Sequence, residues 1–160
     1  LEDLLREMLE GKADAQAMVF CETKRMVDNV SFSLERKGFK VRSIHGDKTQ
    51  KMRDSVLNGF RRGHVSVLVA TDVAARGIDI PDLTCVVNYD FPDENLTNYP
   101  KYIPDLTCVV NYDFPAEGVE SYVHRIGRTG RRGNKGYAHA FFTADDAGHA
   151  RQLIKLNTPC

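Results

Sequence analysis

Residues 65–70 read VSVLVA, an apolar run broken only by one serine. A short continuous run of this kind is typical of a β-strand that is covered on both faces. A second such run, AMVFC, occupies residues 17–21. The two runs therefore predict that the chain is organised around a buried sheet.

Helical and extended patterns alternate around these two strands. Apolar residues recur at helical spacing near residues 1–9, 23–38, 49–63, 117–125 and 145–156, and further strands are expected at residues 39–44, 84–88 and 137–142. Thr23 and Thr49 can cap two of the helices, and Gly38 and Gly63 can end them. Short connections between alternating elements favour the α/β class, a three-layer parallel sheet with helices on both faces.

The composition is that of an ordinary globular domain. The chain has 160 residues, of which 42% are hydrophobic, and its 22 basic and 22 acidic residues give no net charge. This composition excludes wholesale disorder. No apolar run approaches the roughly 20 residues that cross a bilayer, and no leader of secretory type is expected. Zero net charge argues against a uniformly basic nucleic-acid-binding protein, although a local basic patch is present.

The four cysteines indicate a reducing compartment. None of them forms a CxxC pair, so no metal site is expected. Cys21, Cys85 and Cys108 lie in apolar runs, where thiols usually behave as small buried hydrophobic groups. We expect them to be reduced in a cytoplasmic or nuclear protein. Cys160 is terminal.

A 13-residue segment occurs twice without a change. Residues 80–92 read IPDLTCVVNYDFP, and residues 103–115 repeat them at an offset of 23. A solenoid repeat would be diverged and would recur more than twice. We interpret the chain as one domain, residues 1–160, with a 23-residue insertion at about 80–102 or, equivalently, 93–115. The insertion is engineered, recently duplicated, or an error in how the sequence was assembled.

Each copy contains the same candidate strand, and residues 93–102 join the copies. A crossover between parallel neighbours needs about a dozen residues or more, so we expect that the copies do not lie as adjacent parallel strands. One copy should fill the sheet, while the other forms a loop, an antiparallel edge, or a strand donated to a second molecule in a swapped dimer. Val86→Asp and Val109→Asp should then differ greatly in effect.

The densest basic stretch lies near the carboxyl end. Residues 121–136 read SYVHRIGRTGRRGNKG, with five basic residues and no acid. Guanidinium groups bind phosphate oxygens in pairs and stabilise charge on a transferring phosphoryl group. Arg128 and Arg131, three residues apart, can point the same way. The alternative is a solvated basic turn. His124 alone would more often be a structural histidine.

Two further loops follow predicted strands, at the edge of a parallel sheet where ligands collect. In residues 70–79, ATDVAARGID, Thr71 begins a turn whose hydroxyl and amides suit a sugar–phosphate backbone. Asp79 can accept from a ribose hydroxyl, or it can merely pair with Arg76. These alternatives stay open on spacing alone.

In residues 45–53, HGDKTQKMR, Gly46 permits a sharp turn before a helix. Gln50 and Arg53 lie one turn apart near the N-terminus of that helix, where phosphate is favoured. The alternative is a capped helix with a solvated polar face.

Together these stretches resemble the DEAD-box RNA helicases. HRIGRTGR at residues 124–131 looks like the sixth motif of that family, ATDVAARGID like the fifth and VFCETK at residues 19–24 like the fourth, and QKMR at residues 50–53 matches the QxxR element. The motifs occur in the family's order over nearly the whole chain except the insertion. The resemblance implies a RecA-like domain of the P-loop NTPase type, the carboxyl-terminal domain of the helicase core.

The resemblance also implies roles for the matching residues. Catalytic roles fall to Arg128 and Arg131, as arginine fingers on the γ-phosphate of ATP, and to His124 and Arg125, as links to the ATPase motifs of the other domain. Nucleotide contacts fall to Gly77, Asp79, Arg128 and Arg131. Contacts to the RNA backbone fall to Thr23, Gly46, Gln50, Arg53 and Thr71, and Arg76 positions the fifth motif. RNA binding would be largely independent of sequence.

Two expected motifs do not occur in the 160 residues. There is no G-x-x-x-x-G-K-[ST] loop and no DEAD tetrapeptide. The resemblance therefore implies that the phosphate cradle and the Mg²⁺ ligands for ATP belong to an amino-terminal RecA-like domain, the expected partner along with RNA. No membrane partner is expected. The alternatives are a non-catalytic RNA-binding or interaction module, or an engineered or domain-swapped form of the same domain.

Overall fold

Strands and helices alternate along the chain in the computed structural model, which describes residues 1–10, 15–71, 74, 83–90, 106–114, 118–127, 129 and 135–157, apart from the side chains of His124 and Asn157. The elements, in order, are α1 (Glu2–Leu9), β1 (Ala17–Cys21), α2 (Lys24–Arg36), β2 (Val41–Ile44), α3 (Gln50–Arg61), β3 (Val67–Thr71), β4 (Cys85–Asn88), β5 (Cys108–Asn111), α4 (Val119–Ile126), β6 (Tyr137–Ala140), a 3₁₀ helix (Ala144–His149) and α5 (Ala150–Asn157).

The six strands form one sheet in the order β2-β3-β1-β4-β5-β6, and every pair of neighbours is parallel. This confirms the expected α/β class. Parallel strands are joined by crossovers that place helices on the faces of the sheet. Accordingly, the described strands β1, β3, β4 and β5 are almost wholly buried.

Helices cover both faces of the sheet. On one face Phe60 of α3 packs among Met18, Leu68 and Val86. On the other face α1 and α2 pack against the alternate strand residues through a second apolar cluster. Because successive strand residues point to opposite faces, each central strand contributes to both clusters. The three-layer arrangement is therefore confirmed.

The expected helix caps of α2 and α3 are present. Thr23 Oγ1 accepts a hydrogen bond from the Met26 amide at 3.1 Å, and Thr49 Oγ1 accepts one from the Met52 amide at 3.3 Å. Gly38, which follows α2, has φ +87°, a conformation that glycine adopts without strain. The expected helix over residues 145–156 differs in its first half, which is 3₁₀ and is opened by a capping box of Thr143 and Asp146.

The expectation for the repeated segment is wrong. Both copies lie in the sheet, and β4 of the first copy pairs directly with β5 of the second, in parallel. The crossover between the two strands comprises residues 89–107, from the end of β4 to the start of β5. It is longer than the linker of residues 93–102 that separates the two 13-residue copies. Its 19 residues exceed the dozen or so that a parallel crossover needs. No strand has to leave for a second molecule to accommodate the repeat.

Pairing of the copies is in register, so each residue faces its twin. Asn88 Nδ2 donates to Asn111 Oδ1 at 2.7 Å between two fully buried side chains. The rings of Tyr89 and Tyr112 stack with centroids 4.7 Å apart. Ladders of asparagine and stacked aromatic rings are what identical segments form when they pair in parallel and in register. The repeat thus places matching polar and aromatic side chains beside each other across its own pair of strands.

Val86 and Val109 are both fully buried on the same face. We expect Val86→Thr and Val109→Thr each to lower the free energy of unfolding by about 1–3 kcal/mol, because each buries an additional hydroxyl. Urea titration of both variants measures this. Val123→Thr, on the exposed side of α4, is the matched control and should stay within about 0.5 kcal/mol of the parent. A loss confined to one of the two core variants would contradict the paired arrangement.

Candidate functional site

The carboxyl ends of β2, β3 and β1 lie side by side at one edge of the sheet. Cys21 at the end of β1 is in register with Thr71 at the end of β3, and Ile44 at the end of β2 is in register with Ala70. The residues that follow these strands therefore start from neighbouring points. Ligands of open parallel sheets bind at this kind of edge.

Two helices begin at this edge, because each follows a strand that ends there. Thr23 caps α2, and Thr49 caps α3. The N-terminus of a helix carries a partial positive charge and unpaired backbone amides. Two such termini, at the ends of the strands that flank β3, favour an anionic ligand with repeating charges.

An ion pair joins the first turn of α2 to the loop after β2. Lys24 Nζ lies 2.7 Å from Asp47 Oδ2, with both side chains largely exposed. The hydrogen bond from Lys24 lowers the pKa of Asp47 below the ordinary carboxyl value. The loop next to Gly46 is thus tied to the turn next to Thr23.

Asp28 of α2 makes a second tie to the same loop. Its Oδ1 atom lies 3.2 Å from Nε2 of the buried His45 and 3.6 Å from Nζ of Lys48. His45 Nδ1 is buried and has no hydrogen-bond partner in the part of the chain that the structure describes. One carboxylate therefore holds both sides of the turn that contains Gly46.

Gly46 itself is open to a ligand. A Cβ atom built on Gly46 would meet no atom within 4 Å, and its φ lies outside the left-handed region. Neither packing nor backbone strain therefore requires glycine here. The backbone of this turn is accessible, as contact with a sugar–phosphate chain would need.

Gln50 and Arg53 form a network at the start of α3. Arg53 Nη1 donates to Gln50 Oε1 at 3.4 Å, and Gln50 Nε2 donates to Asp54 Oδ1 at 2.8 Å. Arg53 Nη2 donates to the carbonyl of Ala74 at 3.1 Å, which joins α3 to the chain that follows β3. Arg53 thus bridges two of the three candidate loops.

The structure brings together the five residues predicted to contact RNA: Thr23, Gly46, Gln50, Arg53 and Thr71 all lie at or next to the carboxyl ends of β1, β2 and β3. Their roles as RNA contacts stay predictions. Arg76, Gly77, Asp79, Arg128 and Arg131 lie outside the described residues, as does the side chain of His124. Arg125 is described, and only 3% of it is exposed on α4.

Acidic groups lie at the same edge beside β4 and β5. Asp90 Oδ1 accepts from the amide of Glu22 at 2.9 Å, which ties β4 to the turn after β1. Burial raises the pKa of Asp113, and repulsion from Asp90 and Asp146 raises it further, while the charge of Arg125 opposes the shift. Like charges thus accumulate where the two copies end.

Asp28 and Asp47 are functional candidates that sequence patterns do not single out. Their importance depends on contacts between α2 and a loop about 20 residues away in the chain. The sequence gives only a weak indication of a role for Asp28: it lies four residues after Lys24 and therefore shares its helical face. Within the described residues no group of three or more metal-ligating side chains occurs. No helix in that part of the chain is long and apolar enough to span a membrane.

Comparison with known families identifies the type of domain. The model of the helicase conserved C-terminal domain matches residues 1–101 and 102–133. The chain belongs to this family. The boundary between the two matches falls just before the second copy of the repeat, which begins at Ile103. This helicase C-terminal domain therefore contains one strand segment twice.

Several of the similar proteins, both curated relatives and solved structures, are DEAD-box proteins. The chain is 47% identical over 156 residues to DEAD-box ATP-dependent RNA helicase 46 of Arabidopsis thaliana, covering 98% of the chain and 20% of the relative. The Escherichia coli DEAD-box protein SrmB, solved bound to regulator of ribonuclease activity A, superposes with a TM-score of 0.60 at 30% identity, over 98% of this chain and 78% of that one.

Dbp5 of Saccharomyces cerevisiae, solved bound to RNA and ADP BeF3, gives a TM-score of 0.60 at 31% identity, over 96% of this chain and 34% of that one. These likenesses confirm the RecA-like fold of a DEAD-box C-terminal domain. The chain spans about a fifth of the length of the curated relatives it matches.

The raised pKa of Asp113 gives a pH prediction. The native state keeps the proton of Asp113 to a higher pH than the unfolded chain does, so stability falls as pH rises from the ordinary carboxyl pKa of about 3.9 through the raised value. Asp113→Asn should therefore raise the Tm at pH 7 by about 1–3 °C, a small gain because the group is largely exposed. The gain should vanish below about pH 3.5.

Thermal melts of parent and variant from pH 3 to pH 8 measure this difference. The matched control is Asp145→Asn, which removes a carboxylate from an exposed position of the 3₁₀ helix. A gain in Tm that persists at low pH would show that Asp113 does not act through its charge.

Proposed function

We propose that this chain is the half of an ATP-dependent RNA helicase that holds the RNA backbone and completes the ATP site. The observation that carries the proposal is the convergence of Thr23, Gly46, Gln50 and Thr71 at the ends of three adjacent parallel strands. Hydroxyls, an amide and an open backbone are groups that bind phosphate and sugar without reading bases. The two helix N-termini at the same edge add a favourable field for phosphate.

Three cations at this edge are paired within the domain. Lys24 and Lys48 contact carboxylates, and Arg53 contacts a carbonyl and an amide. Their role is to fix the shape of the edge, while backbone amides and hydroxyls meet the RNA. Binding of this kind recognises the course of a single strand and not its sequence.

The nucleotide half of the proposal rests on family membership. In this proposal Arg128 and Arg131 contact the γ-phosphate, Gly77 and Asp79 contact the nucleoside, and His124 and Arg125 join this domain to the other one. Arginine side chains stabilise charge on a phosphoryl group only when that group is already held in place. The phosphate cradle and Mg²⁺ ligands would come from the amino-terminal RecA-like domain, because their motifs are absent from these 160 residues.

The proposed cycle joins both halves. ATP and RNA bind between the two RecA-like domains and close the cleft, and the closed form bends one strand of a short duplex and so melts it. Hydrolysis removes the γ-phosphate contact and the cleft reopens, which is a ligand-driven domain closure. Dbp5, a relative solved with both RNA and a nucleotide, supports RNA and ATP as the ligands of this chain.

RNA binding can be tested by adding a side chain to the open turn. Gly46→Glu should weaken binding of an unstructured single-stranded RNA by about tenfold, because a carboxylate would face the phosphates. Fluorescence anisotropy at low salt measures the Kd. Gly148→Glu is the matched control, since a Cβ at Gly148 also meets nothing within 4 Å, and it should bind like the parent. Equal affinities for all three proteins would place the RNA elsewhere.

ATP hydrolysis tests the nucleotide half. The 160-residue chain alone should hydrolyse ATP at no more than the background rate, with or without RNA, because the phosphate cradle is missing. RNA-stimulated phosphate release should appear only when the amino-terminal domain is supplied in the same polypeptide. Clear turnover by the chain alone would contradict the proposal. RNA binding without turnover in the two-domain protein would favour a non-catalytic RNA-binding module.

A further inference from the structure

Cys85 and Cys108 face each other across the pair of repeated strands. They are direct partners in the register of β4 and β5. Adjacent strands lie about 4.8 Å apart, which falls within the Cα separation of roughly 4.4–6.8 Å that disulfides span. Both thiols are reduced and buried, so the two strands hold a closely spaced dithiol.

The repeat is the reason for this pair. In-register pairing of identical segments places each side chain beside its twin, so the single cysteine of each copy meets the other. Both cysteines point to the face covered by α1 and α2. On the outer sides of the pair the register partners are Ala17 and Tyr137. Cys21 lies four residues beyond Ala17, about 13 Å farther along the strand direction, and is too distant to compete.

We propose that Cys85 and Cys108 are an oxidation site, and that a peroxide joins them in a disulfide within one chain. A peroxide is small enough to reach a buried pair during local opening of the fold. The site belongs to the repeated strands and is independent of RNA and ATP.

The hydrogen bond between the two thiols assigns their roles. The Cys85 thiol donates to the Cys108 sulfur, which lowers the pKa of Cys108 against the opposing effect of burial. The same hydrogen bond, together with burial, raises the pKa of Cys85. The lowered pKa favours Cys108 as the nucleophile of the pair.

The reaction balances with hydrogen peroxide as the oxidant. The Cys108 thiolate attacks one peroxide oxygen, an S–O bond forms, the O–O bond breaks, and the released hydroxide takes a proton to become water. The Cys85 sulfur then attacks the sulfenic sulfur of Cys108, the S–S bond forms, the S–O bond breaks, and the second water leaves with the thiol proton. Two thiols lose two electrons in total, and one peroxide becomes two waters.

The test treats the folded Cys160→Ser variant with hydrogen peroxide at neutral pH. We expect its mass to fall by two hydrogen atoms. After denaturation, one of its three remaining thiols should react with maleimide instead of three. Peptide mapping should show residue 85 linked to residue 108, and the species should stay monomeric on a non-reducing gel. Dithiothreitol should restore the original mass.

Matched variants identify the pair. Cys85→Ala and Cys108→Ala should each abolish the mass loss, whereas Cys21→Ala, which removes another buried thiol, should retain it. Circular dichroism checks that each variant is folded. If a core variant does not fold, the peptide map of the Cys160→Ser protein still shows whether residues 85 and 108 are linked. Absence of the linked peptide, a link that involves Cys21, or a link between two chains would overturn the proposal.

Discussion

The hydrogen-bonded pair of β4 and β5 determines where the carboxyl-terminal third of the domain lies. α4 follows β5 in the chain, and β6 pairs with β5. A parallel strand in the middle of a sheet must have both backbone edges paired and both faces covered. Each repeated strand pairs with one backbone edge of the other, and the two apolar clusters cover the faces of both strands.

The asparagines that pair across the two copies leave two polar side-chain atoms without a partner among the described residues. Asn88 and Asn111 bond to each other, but Asn88 Oδ1 and Asn111 Nδ2 remain buried without a partner among the described residues. Each orphaned atom costs about 1–3 kcal/mol. An asparagine ladder of two members therefore stabilises the pairing less than a longer one would, because the fraction of unpaired ends is largest in the shortest ladder.

Local patterns predicted the elements of the fold well. The caps at Thr23 and Thr49 and the buried runs of β1 and β3 depend on residues close in sequence, so spacing alone indicates them. Which strands become neighbours depends on contacts far apart in sequence. The predicted arrangement of the repeat was therefore wrong, because the crossover runs between the ends of the two four-residue strands and is longer than the linker between the repeated segments.

In the candidate site, too, the sequence indicates the residues close to strand ends but not the contacts between distant parts of the chain. Thr23, Gly46, Gln50 and Thr71 could be found because each lies within two residues of a strand end or at a helix start. The ties that hold their loops together could not, since the Asp28 carboxylate meets His45 and Lys48 only once α2 is packed against the sheet. The bridge from Arg53 to the carbonyl of Ala74 likewise depends on the neighbouring positions of α3 and β3.

The number of copies of the repeated strand sets the distance between β3 and β6 across the sheet. β3 leads into residues 72–82, and β6 follows residues 128–134, the two stretches in which the proposed nucleotide contacts lie. Three strands separate β3 from β6 here, so the two are about 19 Å apart across the sheet. Removing residues 80–102 or residues 93–115 yields the same shorter polypeptide, in which one strand would serve in place of two. The span between the starting points of the two stretches would shrink by a single inter-strand step of about 4.8 Å.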